Sequence, residues 1–123
     1  MLATSPLVAF LATLDADRSR RFYERDLGLP LVEENGFAIV FDAAGTMLRI
    51  QKVQQHTPPG HTVLGWRVES IEAAVAAVGA RGVRMERFAG MEQDAAGIWT
   101  SPSGARIAWF RDPDGNLLSM TQF

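Results

Sequence analysis

Cysteine is absent from the 123 residues. Disulfides, thiolate metal sites and cysteine nucleophiles are therefore excluded together, and a reducing, cytoplasmic setting is expected. A basic excess is also lacking: 12 Lys and Arg stand against 14 Asp and Glu, a net charge of -2. Such a balance gives no electrostatic reason to expect nucleic acid as a partner. Long apolar runs are missing too. The stretch Leu7 to Leu14 stops at Asp15, is preceded by no basic region and is interrupted by Thr13. It is too short for a membrane span, so neither a membrane partner nor an export signal is expected.

The composition, 47% hydrophobic and 21% charged, belongs to one ordinary globular domain over 1–123. Leu7 to Leu14, bounded by Pro6 and Asp15, predicts a strand covered on both faces. Asp15 to Gly28 places Phe22, Tyr23 and Leu27 on a helical stripe behind acidic residues, with Gly28 as the stop. Leu31 to Glu34, Phe37 to Phe41 and Thr46 to Val53 then read as strands, broken by Asn35-Gly36 and by Asp42-Ala-Ala-Gly45. Gln54 to His61, with two prolines and a glycine, reads as a linker.

The order then repeats. Thr62 to Val68 predicts a strand, and Ser70 to Ala80 a serine-capped helix carrying Ile71, Ala74, Val75 and Val78 at helical spacing. Val83 to Phe88, Ile98 to Thr100, Ala105 to Phe110 and Leu117 to Gln122 follow as predicted strands, the last behind the turn Asp112-Pro-Asp-Gly115. Laying Ala38 to Ile50 over Ala108 to Met120 matches Ala38 with Ala108, Asp42 with Asp112, Gly45 with Gly115 and Leu48 with Leu118 without a gap. That agreement predicts two copies of one supersecondary unit, about 5–53 and 62–123, joined by 54–61.

Phe22-Tyr23 before Leu27-Gly28-Leu29, followed by Phe110-Arg-Asp-Pro-Asp-Gly-Asn116 before the last strand, resembles the vicinal oxygen chelate superfamily. This is the family of glyoxalases, bleomycin-resistance proteins and extradiol dioxygenases. The resemblance spans nearly the whole chain. It implies an α+β fold of two βαβββ modules whose mixed sheets form a half-open barrel around a small-molecule cavity. It further implies that any metal ligands fall on the first and last strands of each module, here Val8, Val63, Arg49 and Ser119. Valine cannot coordinate a metal and arginine would repel one, so no metal is predicted. His56 and His61, even with Glu92 and Asp94, lack the spacing of a paired-histidine site.

Strand alternation adds the remaining cavity positions, since every second residue shares a face. Met47 and Gln51 join Arg49, Leu117 and Thr121 join Ser119, Phe10 and Ala12 join Val8, and Gly65 and Arg67 join Val63. The implied chamber is largely apolar with few polar groups. Arg49 is the leading candidate, its guanidinium being a fork of donors for a carboxylate or phosphate-like group; the alternative is an ion pair with Glu33 or Glu34. Met91 to Trp99 reads as an inserted loop of the kind that covers sites.

Two functions follow. One is a metal-independent binding protein of bleomycin-resistance type, holding a small and possibly anionic ligand between modules. The other is a glyoxalase- or lyase-type enzyme, using a divalent metal at unexpected positions or acid-base chemistry from Glu92, Asp94 or Tyr23. A homodimer is expected, with Trp99, Trp109 and Phe123 as interface aromatics.

Overall fold

A computed structural model describes residues 1–123. The chain divides into two compact units, Met1–Thr57 and Pro58–Phe123. In the first, β1 (Val8–Thr13) leads to a helix α1 (Ala16–Arg21), then β2 (Leu31–Glu34), β3 (Ala38–Ala43) and β4 (Thr46–Lys52). In the second, β5 (Thr62–Arg67) leads to α2 (Ile71–Gly79), then β6 (Trp99–Thr100), β7 (Arg106–Arg111) and β8 (Leu117–Gln122). Both sheets are four-stranded and mixed, in the orders β1-β4-β3-β2 and β5-β8-β7-β6. The opening strand is parallel to the closing one in each, so each unit is one βαβββ module.

Local chemistry explains the helix starts. Asp15 accepts a hydrogen bond from the Arg18 amide and Ser70 one from the Ala73 amide, each capping an otherwise unpaired donor. The first helix does not continue as the regular helix expected up to Gly28. After Arg21 it widens into a single π turn over Phe22–Asp26, closed by the Leu27 amide on the Phe22 carbonyl at 2.9 Å. Phe22 and Tyr23 are both buried in this turn. Tyr23 packs edge-on against Phe22 and tilted against Phe41.

Because paired residues project to the same side of a sheet, the registers define two faces in each unit. Leu11, Ile39, Phe41, Leu48 and Ile50 are buried on the helix side of the first sheet. Ala108, Phe110, Leu118 and Met120 are their counterparts in the second, where Gln122 reaches the Ile71 amide at the start of α2. Fully burying each large apolar side chain contributes roughly 1.5–3 kcal/mol.

Two further sequence expectations need correction. Val83 to Phe88 is not a strand. Glu86 makes one amide bond to the Trp109 carbonyl, but the Gln93 carboxamide occupies the Phe88 amide and the Glu86 carbonyl, so side-chain bonds replace the ladder. The repeat, gapless in sequence, is not gapless in register either. Ala108 pairs with Met120, whereas Ala38 pairs with Gln51 rather than Ile50. The first hairpin closes on Ala44-Gly45, both left-handed at φ 49° and 93°, which suits the twist of a tight hairpin. The second needs the longer loop between Arg111 and Leu117. There the buried Asp112 carboxylate accepts from the Asp114 and Asn116 amides and from Asn116 Nδ2.

Candidate functional site

On the helix-free face of the first sheet, Val8 pairs with Met47, Phe10 with Arg49 and Ala12 with Gln51. Val40 flanks Arg49 from the other side. Phe10 is 55% exposed, and Val8 and Met47 are exposed as well. The half-buried Arg49 makes no ion pair. Its guanidinium contact within the sheet is Met47 Sδ at 3.9 Å, a weak acceptor.

The acids weighed as its partners are placed otherwise. Glu34 lies on the helix side, where Lys52 Nζ reaches it at 2.8 Å and Arg20 Nη1 at 3.2 Å. The hydrogen bond from Lys52 is the main cause holding its carboxyl below the usual range; partial burial opposes this and Arg20 reinforces it. Glu33 shares the helix-free face through its pairing with Val40, but Val40 stands between it and Arg49.

In the second sheet Gly65 pairs with Ser119 and Arg67 with Thr121, while Val63 falls at a register shift between Thr62 and Leu64. Trp109 pairs with Ser119 and Ile107 with Thr121. Arg67 stacks over the Phe123 ring at 5.3 Å, a cation–π contact. Trp109 packs edge-on against Phe88 at 5.6 Å and tilted against Trp99 at 6.0 Å.

The 91–99 segment is built around its own polar side chains. Asp94 Oδ1 accepts from the Ala96 and Ile98 amides at 2.9 Å, and Arg87 Nη2 donates to the Asp94 and Ala95 carbonyls. Sequence reasoning offered Asp94 as a base against the alternative of an acidic turn; its carboxylate forms the turn, accepting from amides two and four residues on. A cavity of about 500 Å³ beside it is lined by Gly90, Glu92, Asp94, Ile98, Trp99 and Thr100. Tyr23, the third acid-base candidate, is fully buried in the first unit.

Whether the chain can hold a divalent metal is a matter of donors. Val8, Val63 and Arg49 supply none, and no group of three or more His, Cys, Asp or Glu side chains is disposed to bind an ion. The residues do not fit the metal that the fold commonly carries.

Comparison with known proteins supplies the lineage. No curated protein matches the chain. Among solved structures it is similar to a glyoxalase family protein from Enterococcus faecalis, with a TM-score of 0.77, 20% identity, and 99% of this chain and 100% of that one covered. It is also similar to a fosfomycin resistance protein from Listeria monocytogenes, with a TM-score of 0.75, 14% identity and 98% and 93% coverage. A lactoylglutathione lyase from Agrobacterium tumefaciens gives 0.73, 18% identity and 96% and 93%. At such identities these likenesses concern the fold. No helix is long and apolar enough to cross a membrane. The sequence profile of one family matches residues 6–120, and the chain belongs to the Glyoxalase/Bleomycin resistance protein/Dioxygenase superfamily.

Proposed function

We propose that this protein binds a small organic ligand bearing an anionic group, without a resident metal, in the manner of the bleomycin-resistance branch of its superfamily. The observation that carries the reading is Arg49: a half-buried guanidinium on a sheet face, flanked by Phe10 and Val40, with no carboxylate to neutralise it. A planar fork of donors beside apolar surface suits a carboxylate or phosphate-like group attached to an organic body. Gln51, Met47 and Val8 share this face of the first unit, and Ser119, Thr121, Val63 and Arg67 are the residues proposed for ligand contact in the second. The lyase-type alternative draws on the cavity beside Glu92 and Asp94, with one of these carboxylates as general base. A cytoplasmic homodimer is part of the same proposal.

Elemental analysis followed by thermal-shift screening against small organic carboxylates and phosphates tests the reading. A protein free of stoichiometric metal should be stabilised by at least one anion, insensitively to EDTA, and Arg49→Gln should lose the effect. Stoichiometric zinc, nickel, iron or manganese, or full binding by Arg49→Gln, would refute it.

A further inference from the structure

Two residues before Arg49 on β4, Met47 places its Sδ 3.9 Å from Arg49 Nη1. A thioether is a weak acceptor, and no carboxylate lies within ion-pair reach of the guanidinium. Arg49 is thus left with donors unused beside a sulfur atom. Met47 is 42% exposed, whereas Met85 and Met91 are half-buried and Met120 is buried. Apart from Met1, Met47 is therefore the methionine that an oxidant dissolved in water reaches most readily.

The neighbours of Met47 decide what an oxygen on its sulfur would meet. Its cross-strand row holds Val8 on β1, which has no polar side-chain atom, and Asp42 on β3. The Asp42 carboxylate holds the Gly45 amide through Oδ1 and offers acceptors only. It repels a second partial negative charge, while the Arg49 guanidinium attracts one. Methionine has three rotatable bonds, so the oxygen turns towards Arg49 without moving the strand. A hydrogen bond from a guanidinium is roughly twice as strong as a neutral one.

We infer that Met47 is an oxidation site that closes the Arg49 face: a hydroperoxide converts the thioether to the sulfoxide, whose oxygen takes the guanidinium donors that an anionic ligand would use. The step balances without a cofactor. The sulfur attacks the terminal peroxide oxygen, the S–O bond forms as the O–O bond breaks, and sulfur gives up two electrons. The departing oxygen takes the proton of the transferred one and leaves as water or an alcohol. Sulfoxide reductases reverse the change, which makes the site a gate that reopens. Closure rests on the anion reading of Arg49; oxidation of Met47 and capture of the guanidinium do not.

The test treats the full chain with graded hydrogen peroxide and follows each methionine by peptide mass spectrometry. Met47 should gain its oxygen before Met85, Met91 and Met120. In ¹H–¹⁵N spectra the Arg49 Nε–H resonance, assigned by its absence in Arg49→Gln, should shift as Met47 is oxidised. It should return after treatment with reductases specific for each sulfoxide epimer. Affinity for the best anion of the thermal-shift screen should fall by about tenfold, the loss expected when a hydrogen bond to a charged group is already taken. Met47→Leu sets its own baseline affinity, which peroxide should leave where it is. Met47→Gln, whose amide offers an oxygen to Arg49 and N–H groups to Asp42, should bind as weakly as the oxidised protein. Oxidation of Met85 or Met91 ahead of Met47, an Arg49 resonance that stays in place, or equal anion affinity before and after oxidation would overturn the gate. A protein that binds no organic anion even before treatment refutes the proposed function and with it the closure, and the Arg49 resonance then decides the capture alone.

Discussion

Phe10 and Arg49 stand directly opposite each other on the parallel strands β1 and β4, an exposed aromatic beside a guanidinium that no carboxylate of the chain neutralises. Replacing Arg49 by Lys keeps the charge and removes the planar fork. On the proposed function, Arg49→Lys should retain weak binding of organic anions and Arg49→Gln should abolish it. The Gln loss corresponds to roughly 1.5–3 kcal/mol, the range for hydrogen bonds to charged groups. Isothermal titration with the best anion from the thermal screen measures both; indistinguishable affinities for Lys and the parent would exclude bidentate recognition.

Acid sensitivity should trace in part to Glu34. Its folded pKa is depressed, chiefly by the Lys52 hydrogen bond, so its contribution is present above the unfolded carboxylate pKa and is lost as pH falls through the lower folded value. The side chain keeps 21% exposure, which limits the network to about 0.5–1 kcal/mol. Glu34→Gln should lower stability by that amount at neutral pH and flatten the decline below the ordinary Glu range. Urea melts at several pH values check this, and parallel acid limbs for the two proteins would contradict it.

Asp112 organises the second hairpin from a buried position, its carboxylate accepting from two amides and a carboxamide. Asp112→Ala leaves those donors unsatisfied, at about 1–3 kcal/mol. A melting temperature lowered by less than about 2 °C would show that water replaces the carboxylate.

Core truncation offers a comparison of the two units. Phe41→Ala and Phe110→Ala each remove a ring that is at most 1% exposed, and each should cost about 3–5 kcal/mol. Chemical denaturation monitored at tryptophan, with all three indoles in the second unit, reports whether Phe41→Ala in the first unit destabilises the second. A transition unmoved by Phe41→Ala would mean that the units unfold independently.

Assembly is open to light scattering. A doubled mass supports the homodimer and a mass near 13.5 kDa rejects it. Phe123, 77% exposed, is the informative anchor to truncate. Trp109 is less so, because packing against Phe88 and Trp99 ties its removal to the stability of its own unit.

What the sequence determined by itself is the local grammar. Asp15 and Ser70 cap helices because a short oxygen-bearing side chain can reach a free amide. Asn35 and the Asp112 turn sit where the chain reverses, and strand alternation groups Met47 and Gln51 with Arg49, and Leu117 and Thr121 with Ser119, once the family resemblance has given the face of each. The family resemblance was also legible, in Phe22-Tyr23, Leu27-Gly28-Leu29 and the Asp112 to Asn116 turn. Tertiary structure alone decided what depends on counting across strands. The one-residue shift between the two hairpins arises from loop length, which side-chain identity does not report. Val83 to Phe88 has a strand's pattern, but the Gln93 carboxamide, five and seven residues on, takes the hydrogen bonds of Phe88 and Glu86. Whether Arg49 finds Glu34 depends on the face each occupies, and only the pairing of β5 with β8 brings the bare backbone of Gly65 against the Ser119 hydroxyl. Pattern is a property of neighbours in the chain, and a site is made by neighbours in space.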